Sequence, residues 1–145
     1  MRSIVLTALL ALPAAQTAAP SAAGFWTAEQ GGRTFVRLEI SPADKALAGR
    51  ISLGDIEIDK SGAVKKATAA PSSMTPIQDV SAAGSVVTFV HKDGTDLDHF
   101  RLNVLNNGTA ELTFLPTDSE RRELAASGTP AMKSIVLKKS RSTPY

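Results

Sequence analysis

From Thr34 to Ile40 apolar and polar positions alternate. Val36, Leu38 and Ile40 fall on one side, and Phe35, Arg37 and Glu39 on the other. A half-buried strand requires this period of two, because successive side chains point to opposite faces of a sheet. The same period recurs along the chain. Leu47, Gly49, Ile51 and Leu53 alternate with Ala48, Arg50 and Ser52, and Ile56 and Ile58 with Asp55, Glu57 and Asp59. Phe100, Leu102 and Val104 form another apolar row, and Ala110, Leu112 and Phe114 one more. Ser85 to Val90 is β-branched and apolar on both faces, and Ile135 to Leu137 predicts a last short strand.

Turn chemistry separates these runs. Gly31-Gly32 divides the first two strands, and Ser41-Pro42-Ala43-Asp44 the next two. Asp93-Gly94 and Asn107-Gly108 are hairpin signals. A two-residue turn at Asn107-Gly108 would set Val104 opposite Glu111. A three-residue loop, Asn106-Asn107-Gly108, sets Val104 opposite Ala110 and Leu102 opposite Leu112. Register follows the buried face, so the longer loop is expected, with Gly108 left-handed. By the same logic a three-residue loop at Gly31-Gly32-Arg33 places Trp26 opposite Leu38, and a two-residue turn places it opposite Arg37. Lys60 to Ser73 has no clear period and reads as a loop or flap. Thr117-Asp118-Ser119-Glu120 has the form of a capping box, predicting a short helix to Ala126 with Gly128 just beyond its end. The expected fold is all-β: a small antiparallel up-and-down barrel of about eight strands with one short helix before the last strand. A β-sandwich is the alternative.

The N-terminus has a different character. Arg2 precedes a run from Ile4 to Leu12 that is apolar apart from Thr7, and Pro13 and small residues follow. This is the order of a secretory signal peptide. The run is far short of the ~20 residues of a membrane span, so no span is expected. Ser21-Ala22-Ala23 offers small residues to the peptidase. The predicted division is a signal peptide over 1–23 and one barrel domain over 24–145, exported to the periplasm or the extracellular space. The chain has no cysteine, hence no disulfide and no lipoprotein anchor, and its stability must come from burial. Sixteen Lys+Arg against 14 Asp+Glu give a formal charge of +2, which argues against a nucleic-acid binder. Lys133, Lys138, Lys139 and Arg141 gather near the C-terminus, as on a solvated edge strand and tail.

Chemistry is sparse. His91 to His99 holds both histidines with Asp93, Asp96 and Asp98. If Asp93-Gly94 is a two-residue turn, His91 faces Asp96 and His99 faces Thr88. Adjacent ladder pairs alternate faces, so the histidines then lie on opposite sides and no metal site is expected. An odd-length loop would bring them together. There is no cysteine nucleophile and no Gly-x-Ser-x-Gly elbow, and Glu57 with Asp59 reads as a solvated strand face. No catalytic residue and no cofactor are assigned.

Gly24-Phe25-Trp26 and Ala110-Glu111-Leu112-Thr113-Phe114 carry a resemblance. The sequence resembles lipocalin-like (calycin) barrels, in which a Gly-x-Trp on the first strand closes one end of the barrel. It also resembles small exported bacterial proteins with a Trp-headed first strand and an Ala-Glu-Leu-x-Phe strand. The lipocalin-like resemblance implies a small apolar ligand held inside the barrel. Trp26, His91 and His99 are the candidate ligand-contacting residues, although Trp26 also fits a core plug. The leading expectation is therefore an exported binding or interaction module for a small apolar ligand. The alternatives are a protein-binding inhibitor of a periplasmic hydrolase, and a small enzyme using a His/Asp pair. An apolar cavity with a mouth favours the first reading and a filled barrel with an exposed patch the second. A cleft gathering a histidine and a carboxylate favours the third.

Overall fold

The computed structural model describes residues 21–43, 46–106 and 108–140. The apolar leader expected over residues 1–20 and the basic tail residue Arg141 lie outside the described residues.

Strands β1 (Gly24–Gln30) and β2 (Arg33–Ala43) form a hairpin. Gly31 and Gly32 both have positive φ, 58° and 78°, as a two-residue turn matched to strand twist demands. Trp26 lies opposite Leu38, but not through the longer loop the sequence suggests. Gln30 pairs with Arg33 across the two-residue turn. An extra residue, Phe35, then bulges from β2, with Ala28 opposite Val36 and Glu29 opposite Thr34. The bulge restores the apolar register that the short turn displaces, and it lets both Phe35 and Val36 be buried.

Strand β3 (Ala46–Leu53) pairs with β2 through Pro42, which faces Leu47, as far as Ala43, which faces Ala46. Ser41 to Ala43 therefore continues β2 instead of turning. Past Ile40, β2 has lost its β1 neighbour, an edge position where proline is tolerated. The segment read as a loop, Lys60 to Ser73, is partly strand: β5 (Val64–Ala67) pairs with the expected strand β4 (Ile56–Ile58) in a small separate hairpin. Two further short strands, β6 (Thr75–Pro76) and β7 (Gln78–Ala83), have no counterpart in the sequence reading. Their side chains are mostly exposed, so no apolar alternation marks them.

These two strands complete the sheet. Thr75 and Pro76 pair with Ile51 and Arg50, and the Ile77 N–H donates to the Gly49 carbonyl at 2.9 Å. After a bend at Asp79 (φ 49°) the chain pairs with β8 (Val86–Asp93). Then come β9 (Asp96–Asn106), β10 (Thr109–Leu115), helix α1 (Asp118–Ser127) and β11 (Ile135–Ser140). Strand β11 pairs with both β10 and β1. The sheet order β6-β3-β2-β1-β11-β10-β9-β8-β7 is thus an antiparallel up-and-down arrangement in a nearly closed barrel. Lys138 and Lys139 sit on an internal strand, not on the edge strand expected of them.

Between β9 and β10 the apolar rows pair as predicted, Val104 with Ala110 and Leu102 with Leu112. The route again differs. Asn106 faces Thr109 across a two-residue connection, and Leu105 is the bulged residue. The Gly108 N–H donates to Asn106 Oδ1 at 2.9 Å. Helix α1 carries the reciprocal cap of Thr117 and Glu120, and Gly128 ends it at φ 69°. None of its residues is buried.

The inward rows of the barrel strands meet in one contiguous cluster. Trp26, Leu38, Ile51, Phe89, Leu102, Leu112 and Leu137 are among its buried members. With the short strands β6 and β7 following one another along the gap between β3 and β8, the barrel is close to the eight-stranded size whose interior is just wide enough for side chains, and these side chains occupy it. At the upper end, where β1 begins, the Trp26 indole N–H donates to the Ala22 carbonyl at 2.8 Å, and Ala22 belongs to the core. The Lys139 ammonium lies 5.5 Å from the Trp26 ring centroid. At the lower end Leu53, Ile56, Val64, Ala67, Phe114 and Met132 pack against the core from below. The β4–β5 hairpin is fastened there through Gly62, whose carbonyl accepts the Lys133 N–H at 2.9 Å. Gly62 has φ 89°, and a side chain on it would overlap the Ala131 carbonyl.

Candidate functional site

The lower mouth gathers what chemistry the chain has. His91 and Asp98 are cross-strand partners at the end of β8 and β9. The next inward pair is Phe89 with Phe100, stacked at 5.6 Å between ring centroids, and Phe114 meets Phe100 edge-on at 5.7 Å. The polar pair therefore sits on an aromatic floor. Sequence parity alone misses this pairing by one residue. The turn is Gly94-Thr95, with Asp93 opposite Asp96. Gly94 takes the first loop position with φ 62°, which is where a two-residue hairpin needs glycine. His91 thus faces Asp98 instead of Asp96, and His99 faces Val90 instead of Thr88. Since adjacent pairs alternate, His91 is inward and His99 outward. Among the described residues no three acidic or histidine side chains converge to hold a metal ion. Trp26 is wholly enclosed and cannot touch a ligand without opening the barrel.

His91 is bonded on one side only. Its Nε2 lies 3.0 Å from Thr75 Oγ1, which is also 3.3 Å from the Ile51 carbonyl oxygen. The direction of the Thr75–His91 hydrogen bond follows the imidazole tautomer. Nδ1 is a buried atom with no hydrogen-bond partner, 3.9 Å from Asp98 Oδ2. Burial holds the Asp98 carboxyl above the usual carboxylate range. His91 works against that rise, and the negative charges of Glu120, Asp93 and Asp96 add to it. The row Thr75, His91, Asp98 superficially resembles a hydrolase triad. Its geometry is not that of an activated nucleophile, because 3.9 Å between His91 Nδ1 and Asp98 Oδ2 is too long for the orienting hydrogen bond.

Beside the pair lies an apolar recess of about 260 Å3. Leu53, Ile56, Phe100, Phe114, Met132 and Ile135 line it, and Asp55 and Asp98 supply its carboxylates. A second, larger groove of about 430 Å3 runs between the β1–β2 turn and the β4–β5 hairpin. Its walls mix charges, with Arg33, Lys65 and Lys66 against Asp55 and Glu57. Nothing in the sequence marks the recess, because its walls come from four separate segments. Among the described residues no helix is long and apolar enough to cross a membrane. Comparison with known protein families, curated proteins and solved structures finds no match.

Proposed function

We propose that the protein is an exported binding module that seats the apolar body of a small ligand in the recess at its lower mouth. One observation carries the reading: the recess has a floor and walls of large apolar side chains, one of them the half-buried Phe114, and only a few polar groups. That composition is the usual one for a small-molecule site, with apolar lining for affinity and a few polar groups for orientation. The resemblance to lipocalin-like barrels suggests a ligand on the barrel axis. A filled interior moves the contact to the mouth. Export is supported by Arg2 and the apolar run that follows it.

The test is a titration of octanol into isotope-labelled protein. Chemical-shift changes are expected at Leu53, Ile56, Phe100, Phe114 and Met132, and Met132→Ala, which enlarges the recess, should weaken binding. Changes concentrated at Leu38, Leu102 and Leu112 would instead put the ligand inside the barrel. No saturable change anywhere would defeat the reading.

A protein partner, such as a hydrolase bound in the manner of an inhibitor, is the second reading. The filled interior and the charged groove beside the β4–β5 hairpin favour it, since a groove of mixed charge suits an extended peptide segment better than a small apolar molecule.

A further inference from the structure

We infer that the ligand of the mouth recess is an amphiphilic amine, with its apolar body on Phe100 and Phe114 and its ammonium group at Asp98. The inference rests on the binding reading above and adds the class of ligand. Its basis is charge complementarity in an apolar setting. Both ionisable groups that line the recess, Asp55 and Asp98, are acidic. Further negative charge converges on Asp98 from three directions: Asp93 at the end of β8, Asp96 at the start of β9, and Glu120 in the first turn of α1. His91 opposes them, but its Nδ1 stands 3.9 Å away, outside hydrogen-bond distance, and among the described residues Asp98 makes no ion pair shorter than that. Asp98 is thus a carboxylate partly removed from water and held among like charges.

An ammonium group meets these conditions. It supplies three donors to a carboxylate, and the hydrogen bond is strengthened by charge on both partners. A hydrated inorganic cation would leave the aromatic floor without a partner, and among the described residues no group of three ligands is present to replace its water. A carboxylate-bearing ligand would add to the repulsion. The linkage has a definite sign. An ammonium binds the ionised form of Asp98, so amine affinity falls as pH drops through the raised Asp98 value.

The experiment compares octylamine, octanol and octanoate by calorimetry at neutral pH, on the full exported chain and on its Asp98→Asn variant. Octylamine should bind about tenfold tighter than octanol, the scale of one partly desolvated charge pair, and octanoate should bind weakest. Asp98→Asn should bring octylamine to the level of octanol and leave octanol nearly unchanged. Equal binding of octanol and octylamine, or an octylamine affinity unmoved by Asp98→Asn, overturns the amine while the mouth reading stands. Failure of all three probes overturns both. Circular dichroism and the emission of buried Trp26 establish that the variant is folded. If Asp98→Asn does not fold, the fall of octylamine affinity with pH, set against a flat octanol profile, decides the question on the unmodified protein.

Discussion

Burial raises the Asp98 carboxyl pKa, and that has a consequence for stability. The folded protein holds this proton more tightly than the unfolded chain, whose carboxyl titrates near 3.8. The contribution to folding is therefore fully present below that value and is lost as pH rises through the raised folded value. Asp98→Asn carries no charge at any pH, so it should gain in melting temperature relative to the parent as pH rises from below 3.8 to neutrality. A gap that stays constant across this window would mean that Asp98 is as well solvated as an ordinary surface carboxylate. Asp59 behaves oppositely. Hydrogen bonds from the Ser61 hydroxyl and backbone hold its carboxyl low, so its contribution is present above the unfolded value and lost in acid. The comparison of variant with parent separates the two. The sequence marks His91 and Asp98 as polar neighbours of a turn. It does not reveal their pairing, because moving the turn by one residue changes every partner beyond it.

Helix α1 is the element whose sequence signals match the structure most closely, and it is also the least tied to the core. Thr117 and Glu120 exchange hydrogen bonds at 3.2 Å each, and Gly128 closes the other end. These are local signals that need no tertiary partner. With none of its residues buried, the helix depends on its caps. Thr117→Ala should cost about 1 kcal/mol locally and speed amide exchange in α1, with little change in the barrel's own unfolding. Coupled loss of the barrel would show that α1 is a structural brace. Strands β6 and β7 are the reverse case. They are mostly exposed and lack apolar alternation, and they exist because β3 and β8 each offer a free edge for backbone hydrogen bonds. The two bulges, at Phe35 and Leu105, likewise follow from pairing: each absorbs one residue so that a tight glycine turn and an apolar row can coexist.

For the whole molecule, the upper end closes only with residues that precede β1. Ala22 belongs to the core, and its carbonyl is the partner of the Trp26 indole. A chain beginning at Gly24 would leave that buried donor unpaired, at a cost of about 1–3 kcal/mol. One beginning at Ser21 would keep the bond. The shorter chain should show a lower urea midpoint and red-shifted Trp26 emission; equal midpoints would make Ala22 dispensable.

By itself the sequence determined the apolar rows, the glycine turns to within a residue, and the helix caps. These are set by period and local turn chemistry, and a buried face tolerates only one register. That Trp26 faces Leu38 across a two-residue turn needed the bulge at Phe35. Tertiary structure alone decided how the sheet comes together, that β11 is internal, and that the barrel is filled. It also decided that Asp98, His91 and Thr75 share a mouth with Phe100, Phe114 and Met132. Those outcomes depend on which distant edges and side chains meet across the barrel, and no local pattern along the chain records them.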